Sequence, residues 1–368
     1  MGNYFKKKMK SNNTGKRLSR KLDHINLAKD LYIDYTKTGF DDIHLIHKAS
    51  SSLSLNEIDI SCSFLQKKLA APFMINAISG GPSIATEINR SMARVAKRLN
   101  IAMAVGSQKL AIDDQNFRDS FTLVRKENPE GIILANLSAL APLEDVLAAI
   151  EMLEADGIQL HLNLPQELAM KEGDRNFKGL LENIANIVEF VQMPIIVKEV
   201  GFGISGDTAQ ILWEQGVTYL DVGGYGGTNF ATIERQRQNI LSPTVFENWG
   251  IPTAISLAEI ASLPIPIKLI ASGGIKDALD AIKAIALGAE LVALAGCCLK
   301  TLLNESEDSL IIFFNNLIYQ FRALSLLVGS SSVGEINNLP IIITGKTREW
   351  LKQRNAIQHF SKRTYMNF

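Results

Sequence analysis

Eight short apolar runs, mostly β-branched, recur through the middle of this chain: Pro72–Asn76, Ile101–Val105, Ile132–Asn136, Ile158–Asn163, Pro194–Val200, Tyr219–Val222, Ile267–Ala271 and Leu291–Ala295. Continuous runs of this length suit strands buried on both faces, as in a parallel sheet. Segments of helical period lie between most of them. In Pro142–Ala155, Pro142 fits a first helical position, Glu144 and Asp145 suit the positive N-terminal end, and Val146, Ala149, Ile150 and Leu153 share a face. Ile84, Ile88, Met92, Val95 and Leu99 form a second stripe; Leu279, Ile282 and Ala286 form a third, with Gly288 as a natural C-terminal cap. Strand starts fall about 24 to 48 residues apart, the spacing of βα units. Eight such units predict an α/β protein built as a (β/α)8 TIM barrel. A doubly wound open sheet is the alternative, weakened by the lack of a Gly-x-Gly-x-x-Gly fingerprint after the first strand.

The barrel strands are expected over about residues 72–296 of a single domain, 18–368. Ser306–Val328 reads as a helix with one apolar face, Thr347–Phe360 as another, and Gly329–Gly345 as their connector. Gly223–Gly250, after the sixth strand, is a long loop of the kind that is usually a functional lid or disordered.

Charge enters through its distribution. The 368 residues carry 38 Lys+Arg and 38 Asp+Glu. Yet the first 21 residues hold eight basic side chains and no acid, leaving 30 basic against 38 acidic in the remainder. The even total excludes a supercharged nucleic-acid binder. The basic stretch 1–17 is expected to be a flexible arm. No apolar run follows it as in a signal peptide, Lys6 breaks the myristoylation pattern, and no uncharged stretch reaches membrane-spanning length. The most apolar region, Leu310–Val328, is interrupted by Asn315, Asn316, Gln320 and Arg322. Cys62, Cys297 and Cys298 form neither a disulfide framework nor a zinc pattern. A cytoplasmic location is expected, with a homo-oligomer and no membrane span.

In a barrel, chemistry sits at the C-terminal ends of the strands. There the chain places Asn76-Ala77-Ile78-Ser79-Gly80-Gly81, Gly106-Ser107-Gln108-Lys109, Asn136-Leu137-Ser138, His161 to Glu167, Lys198-Glu199-Val200-Gly201, Gly223 to Asn229, Ser272-Gly273-Gly274-Ile275-Lys276 and Ala295-Gly296. The glycine-containing ends of strands 7 and 8 are the usual phosphate place of this fold. Lys198, at the end of an apolar strand, requires an anionic or electron-rich partner. A flavin ring meets that need if its phosphate sits at strands 7 and 8; so does a glutamate paired with Lys198 in the barrel mouth. His161, Asn163, Gln166 and Glu167 form the densest polar cluster. One carboxylate with neutral neighbours suits Mg²⁺ shared with a substrate phosphate and cannot fill a closed zinc site.

These strand ends resemble one family, the flavin-dependent type 2 isopentenyl-diphosphate isomerases. The likeness covers roughly residues 18–358 and rests on Arg20-Lys21-x-x-His24, Ile78-Ser79-Gly80-Gly81, Ala104-Val105-Gly106-Ser107, His161-x-Asn163-x-x-Gln166-Glu167, Lys198-Glu199-Val200-Gly201-Phe202-Gly203 and Gly226-Gly227-Thr228-Asn229-Phe230. It implies an FMN-binding barrel that interconverts isopentenyl and dimethylallyl diphosphates in isoprenoid biosynthesis. By that resemblance Ala77, Ile78, Ser79, Ser107, Asn136, Lys198, Thr228, Gly273, Gly274, Ile275, Lys276, Ala295 and Gly296 contact FMN. Arg20, Lys21, His24, Ser107, Gln108, Lys109 and Asn163 hold the substrate, Gln166 and His161 attend the reacting alkene, and Glu167 binds Mg²⁺. The resemblance also implies that FMN works reduced, with NADPH only priming it. The chain departs from the family pattern at Ile78-Ser79 (commonly Met-Thr), at Gly223 (often Ser), and at Lys109 and Lys276 (commonly Arg). Lys keeps the charge there but loses the bidentate fork. Another FMN barrel, a 2-hydroxy-acid oxidase or dehydrogenase, is the alternative enzyme; its chemistry wants a His base near the flavin, and no His lies between His161 and His359. A flavin-binding barrel without catalysis is the non-enzymatic alternative.

Overall fold

Each of the eight apolar runs forms a strand: β1 (Phe73–Ile75), β2 (Ala102–Ala104), β3 (Ile133–Ser138), β4 (Gly157–Leu162), β5 (Ile195–Glu199), β6 (Tyr219–Asp221), β7 (Lys268–Ser272) and β8 (Ala289–Leu294). Every pairing is parallel, and β8–β1 and β6–β7 contacts close the ring in sequence order. This computed structural model describes residues 2–31, 33–78, 80, 81 and 83–365; the side chains of 2–14, 16, 364 and 365 are outside the description.

The pleat sorts side chains with period two. Outward residues such as Phe73, Ile75, Met103, Ile133, Val197 and Val292 join the large core under the helices. Inward Met74, Ala102, Ala104, Leu134, Ile196, Ile270 and Leu291 fill the barrel, together with Phe64 and Leu69 from an antiparallel hairpin. Cutting the fully buried Leu134 back to Ala is expected to cost about 2–5 kcal/mol. Further along the same inward rows the residues turn polar: Asn76, Asn136, Gln159, His161, Lys198, Asp221 and Ser272. The barrel is therefore an apolar plug beneath a polar floor.

The helix Ser83–Leu99 buries Ile88, Met92 and Val95 of its expected stripe and leaves Ile84 exposed. Pro142 proves to be the extended residue before the helix Leu143–Leu153, not its first helical position. The helix Ala278–Ala286 is capped by Asp277, with Gly288 at φ +114° just beyond its end. Ser306 caps Glu307–Val328. That helix is long and apolar enough to cross a membrane by length and composition alone. Here Leu310, Phe314, Leu317 and Phe321 face the core.

Three further expectations change. Thr347–Phe360 is two helices, Gly345–Gln353 and Ile357–Tyr365, because Asn355 turns left-handed at φ +58°. Gly329–Gly345 is more than a connector: it holds the short helix Val333–Ile336 and the strand Ile341–Ile343, paired antiparallel with Ile43–Leu45. Gly223–Gly250 is structured too, with the helix Phe230–Arg237 capped by Asn229 and a 3-10 turn at Val245–Asn248.

The N-terminal backbone is helical from Gly2 to Asp30. This helix lies across the barrel's C-terminal mouth, against Lys109–Asp113, Phe230–Arg237 and Gly296–Asn304.

Candidate active site

The polar floor is a connected set of hydrogen bonds. His161 Nδ1 lies 3.0 Å from Asn136 Oδ1. Asn136 Nδ2 donates to Gln159 Oε1 at 3.0 Å, Gln159 Nε2 to Asn76 Oδ1 at 3.0 Å, and Asn76 Nδ2 to Asp221 Oδ2 at 2.7 Å. Lys198 Nζ is 3.0 Å from the same carboxylate oxygen and also donates to Ser272 Oγ and the Glu199 carbonyl. Ser272 Oγ and the Gly223 amide donate to Asp221 Oδ1. Asp221 is fully buried. The protein partner of Lys198 is thus the carboxylate of Asp221, one strand over, rather than a glutamate. Glu199 points outward, takes the Gly201 and Phe202 amides, and is pushed up to about 8 by burial. Burial, then Lys198, Lys21 and Arg20, lower His161 to about 4, so its ring is neutral at pH 7.

The ends of β6, β7 and β8 bring backbone against backbone. Gly273 and Gly274 have φ of +109° and +72°, and side chains there would collide with the carbonyls of Gly224 and Gly226. Gly223, where the family often has Ser, stands so close to the Glu199 carbonyl that a Cβ does not fit. The helix Gly296–Asn304 starts at Ala295 without a side-chain cap, and Thr228 Oγ1 lies beside Gly296. Free amides at a helix start favour an anion. Lys276 is 3.5 Å from Asp280. Ala77 and Ile78 follow β1, half-buried. Ser79 lies outside the described residues.

The N-terminal helix brings cations to this mouth. Lys21 Nζ donates to the carbonyls of Gly80 (2.6 Å) and Ser107 (2.5 Å) and meets no carboxylate among the described residues. Burial first, and Arg20 and Arg17 next, bring it down to about 7. Arg20 contacts the Met170 sulfur at 3.5 Å and has no acidic partner among the described residues. Arg17 pairs with Asp113. Lys109 pairs with Asp113 and, at 3.2 Å, with Asp145. Gln108 is not at the mouth: its fully buried amide donates to Ala149 O (2.9 Å) and accepts from Asn136 N (3.0 Å), tying β3 to the helix Leu143–Leu153.

On the far side, His24 Nε2 meets Glu234 Oε1 at 2.7 Å, and Arg237 holds the other oxygen at 2.7 Å. Burial opposes ionisation of Glu234, yet His24 and Arg237 hold it below the ordinary carboxylate value. Sequence reading missed Glu234 because it sat in an apparent loop. Gln166 is buried in the helix Leu164–Ala169. Asn163 Nδ2 donates to Glu167 Oε1 at 2.8 Å, and the Asp174 amide to Oε2 at 2.8 Å. Among the described residues there is no cluster of three His, Cys, Asp or Glu that could hold a metal by itself.

Residues 139–342 match the family of FMN-dependent dehydrogenases. A lactate oxidase from Pediococcus acidilactici superposes over 85% of this chain and 87% of its own, with a TM-score of 0.65 at 15% identity. A mandelate oxidase superposes over 90% and 97%, with a TM-score of 0.62 at 15% identity. Those two likenesses are of fold. Family match, closed barrel and glycine cradle together define an FMN-dependent (β/α)8-barrel enzyme, and the uncapped helix start beside Thr228 fits a flavin phosphate. Much nearer are proteins named isopentenyl-diphosphate delta-isomerase. That of Moorella thermoacetica is 46% identical over 91% of this chain and 96% of its own; that of Geobacillus sp. is 45% identical over 92% and 97%; that of Bacillus pumilus is 42% identical over 95% and 98%. The chain belongs to the isopentenyl-diphosphate delta-isomerase family.

Proposed function

We propose that this isomerase interconverts isopentenyl and dimethylallyl diphosphates by adding a proton at one carbon and removing one from another. The observation that carries the reading is the pair of cations with no acidic partner among the described residues, Arg20 and Lys21, held over the polar ends of the strands. They anchor the diphosphate, with Ser107 and Asn163 beside it and Lys109 and Arg17 at the rim. Remote binding of this kind lends its energy to orientation of the alkene. His24, docked on Glu234, ties the N-terminal helix over the mouth.

An unactivated alkene is a feeble base, and side-chain acid–base work supplies only about 10²–10⁴-fold. Reduced FMN, when bound, supplies a proton donor and acceptor at its N5 edge. The glycines 273 and 274, Ile275, Lys276, Ala295, Gly296 and Thr228 would hold its phosphate end, and Ala77, Ile78, Ser107 and Asn136 the ring. Lys198, held by Asp221 at 3.0 Å, would balance negative charge on the bound flavin. Gln166 and His161, both uncharged, border the alkene and hold it in position. Glu167 offers one hard carboxylate, which suits Mg²⁺ completed by diphosphate and water. The net reaction is redox-neutral, so NADPH serves only to prime the flavin.

Anaerobic assay with pre-reduced FMN tests this. Dimethylallyl diphosphate is expected to accumulate from isopentenyl diphosphate with no NADPH consumed; stoichiometric NADPH consumption overturns the reading. Chelation is expected to raise KM, with Mg²⁺ restoring it, and Glu167→Gln to abolish that response.

A further inference from the structure

The hydrogen bonds of the barrel floor run in one direction. Asp221 is an acceptor at both oxygens: Lys198 and Asn76 donate to Oδ2, Ser272 and the Gly223 amide to Oδ1. Asn76 must therefore turn its NH₂ toward Asp221 and its oxygen away. The Ala77 amide, which donates to that oxygen at 2.9 Å, enforces the same choice. Gln159 must then turn its NH₂ to Asn76 and its oxygen to Asn136, and Asn136 its NH₂ to Gln159 and its oxygen to His161. A flip of any one amide sets donor against donor or acceptor against acceptor in a buried place. The last acceptor faces His161 Nδ1, which must carry the hydrogen.

We propose that Asp221 is a positioning residue that acts on His161 through the oriented relay Asn76–Gln159–Asn136, fixing the imidazole as the Nδ1–H tautomer with Nε2 as its acceptor. The catalytic consequence rests on the reading of His161 as a residue of the reacting site; the relay itself does not. Which ring nitrogen is protonated is set by the hydrogen bond the other nitrogen makes or lacks. Here that bond is dictated by a charge on β6, three amides away across the barrel. The same carboxylate holds Lys198, so one buried anion orients both the lysine and the imidazole.

The test is ¹⁵N-histidine NMR on the FMN-bound protein, with His161 assigned by its loss in His161→Gln. The wild type is expected to show a protonated Nδ1 and an unprotonated Nε2. Gln159→Met cuts the relay and leaves the Asp221–Lys198 pair intact. It is expected to populate the Nε2–H tautomer and lower kcat by at least about tenfold with KM nearly unchanged, the flavin spectrum staying as in wild type. Asp221→Asn is expected to scramble the tautomer as well. A protonated Nε2 in the wild type, or an unchanged single tautomer in Gln159→Met, overturns the relay. A scrambled tautomer with unchanged kcat upholds the relay and overturns the catalytic part for His161.

Discussion

The barrel mouth holds cations of two kinds. Lys198, in the floor, has Asp221 at 3.0 Å inside a fully hydrogen-bonded set. Lys21, carried in by the N-terminal helix, meets two carbonyls and the face of the Phe121 ring at 5.8 Å and no carboxylate among the described residues, with Arg17 and Arg20 as charged neighbours. A buried charge that is paired within its own protein is held in place before any ligand binds. One left without an opposite charge costs stability until an anion arrives. The same residue type thus takes two roles, set by whether a carboxylate is within reach.

Removing each lysine breaks the comparison most directly. Lys198→Met strands the Asp221 carboxylate in a fully buried place, and breaking such a pair costs about 3–5 kcal/mol. Chemical denaturation should show that loss, and the double change Lys198→Met with Asp221→Asn should recover part of it. Lys21→Met should leave stability unchanged or raise it, because the ammonium it removes has no counter-charge among the described residues. If both single variants lose stability equally, the distinction between the two cations fails. On the substrate side the ranking reverses: Lys21→Met deletes a charged hydrogen bond worth about 1.5–3 kcal/mol, so KM should rise roughly 10–100-fold.

The next effect sharpens the comparison through protons. Lys21 titrates at about 7 in the ligand-free protein and near 10.5 when unfolded. Between those values the unfolded chain binds a proton that the folded one lacks. Stability of the free enzyme should therefore rise with pH across about 7 to 10.5, and Lys21 contributes no slope below that window. A bound diphosphate supplies the missing negative charge and favours the ammonium. At pH 8, titration with inorganic pyrophosphate in buffers of different ionisation enthalpy should show uptake of close to one proton per site, absent in Lys21→Met.

The floor and the rim also differed in how far the sequence revealed them. All eight strands were legible, because a parallel barrel needs continuous apolar runs and these are hard to mistake. Lys198 and His161 stood out as polar residues in such runs. Asn76, Gln159, Asp221 and Ser272 did not stand out as a set, although pleat parity held the signal. Asn76, Asp221 and Ser272 each lie two residues past an inward Met74, Tyr219 or Ile270. Gln108 and Lys109 were harder. They follow β2 on the turn into Lys109–Asp113, where position along the chain does not tell which way a side chain leaves; Gln108 turns into the protein and Lys109 toward two aspartates. Glu234 was hidden by a glycine-rich approach that read as loop, and its partner His24 lies 210 positions earlier in sequence.

The smallest effect concerns the rim, where the two kinds of cation grade into each other. Arg17 and Lys109 share Asp113, and both are about a third exposed. Their pairing is therefore screened and weak, about 0–1 kcal/mol. It still competes with an incoming diphosphate for the same two cations. Asp113→Asn removes the competitor without adding a charge or changing the shape of the turn. Arg17 is then left without its carboxylate, and Lys109 keeps only Asp145 at 3.2 Å. Diphosphate KM should fall about twofold at low salt, and the gain should fade toward 0 as ionic strength approaches about 1 M, where the screening length is roughly 3 Å. A rise in KM would mean that Asp113 positions these cations for the substrate, and the rim would then belong with the self-neutralised floor.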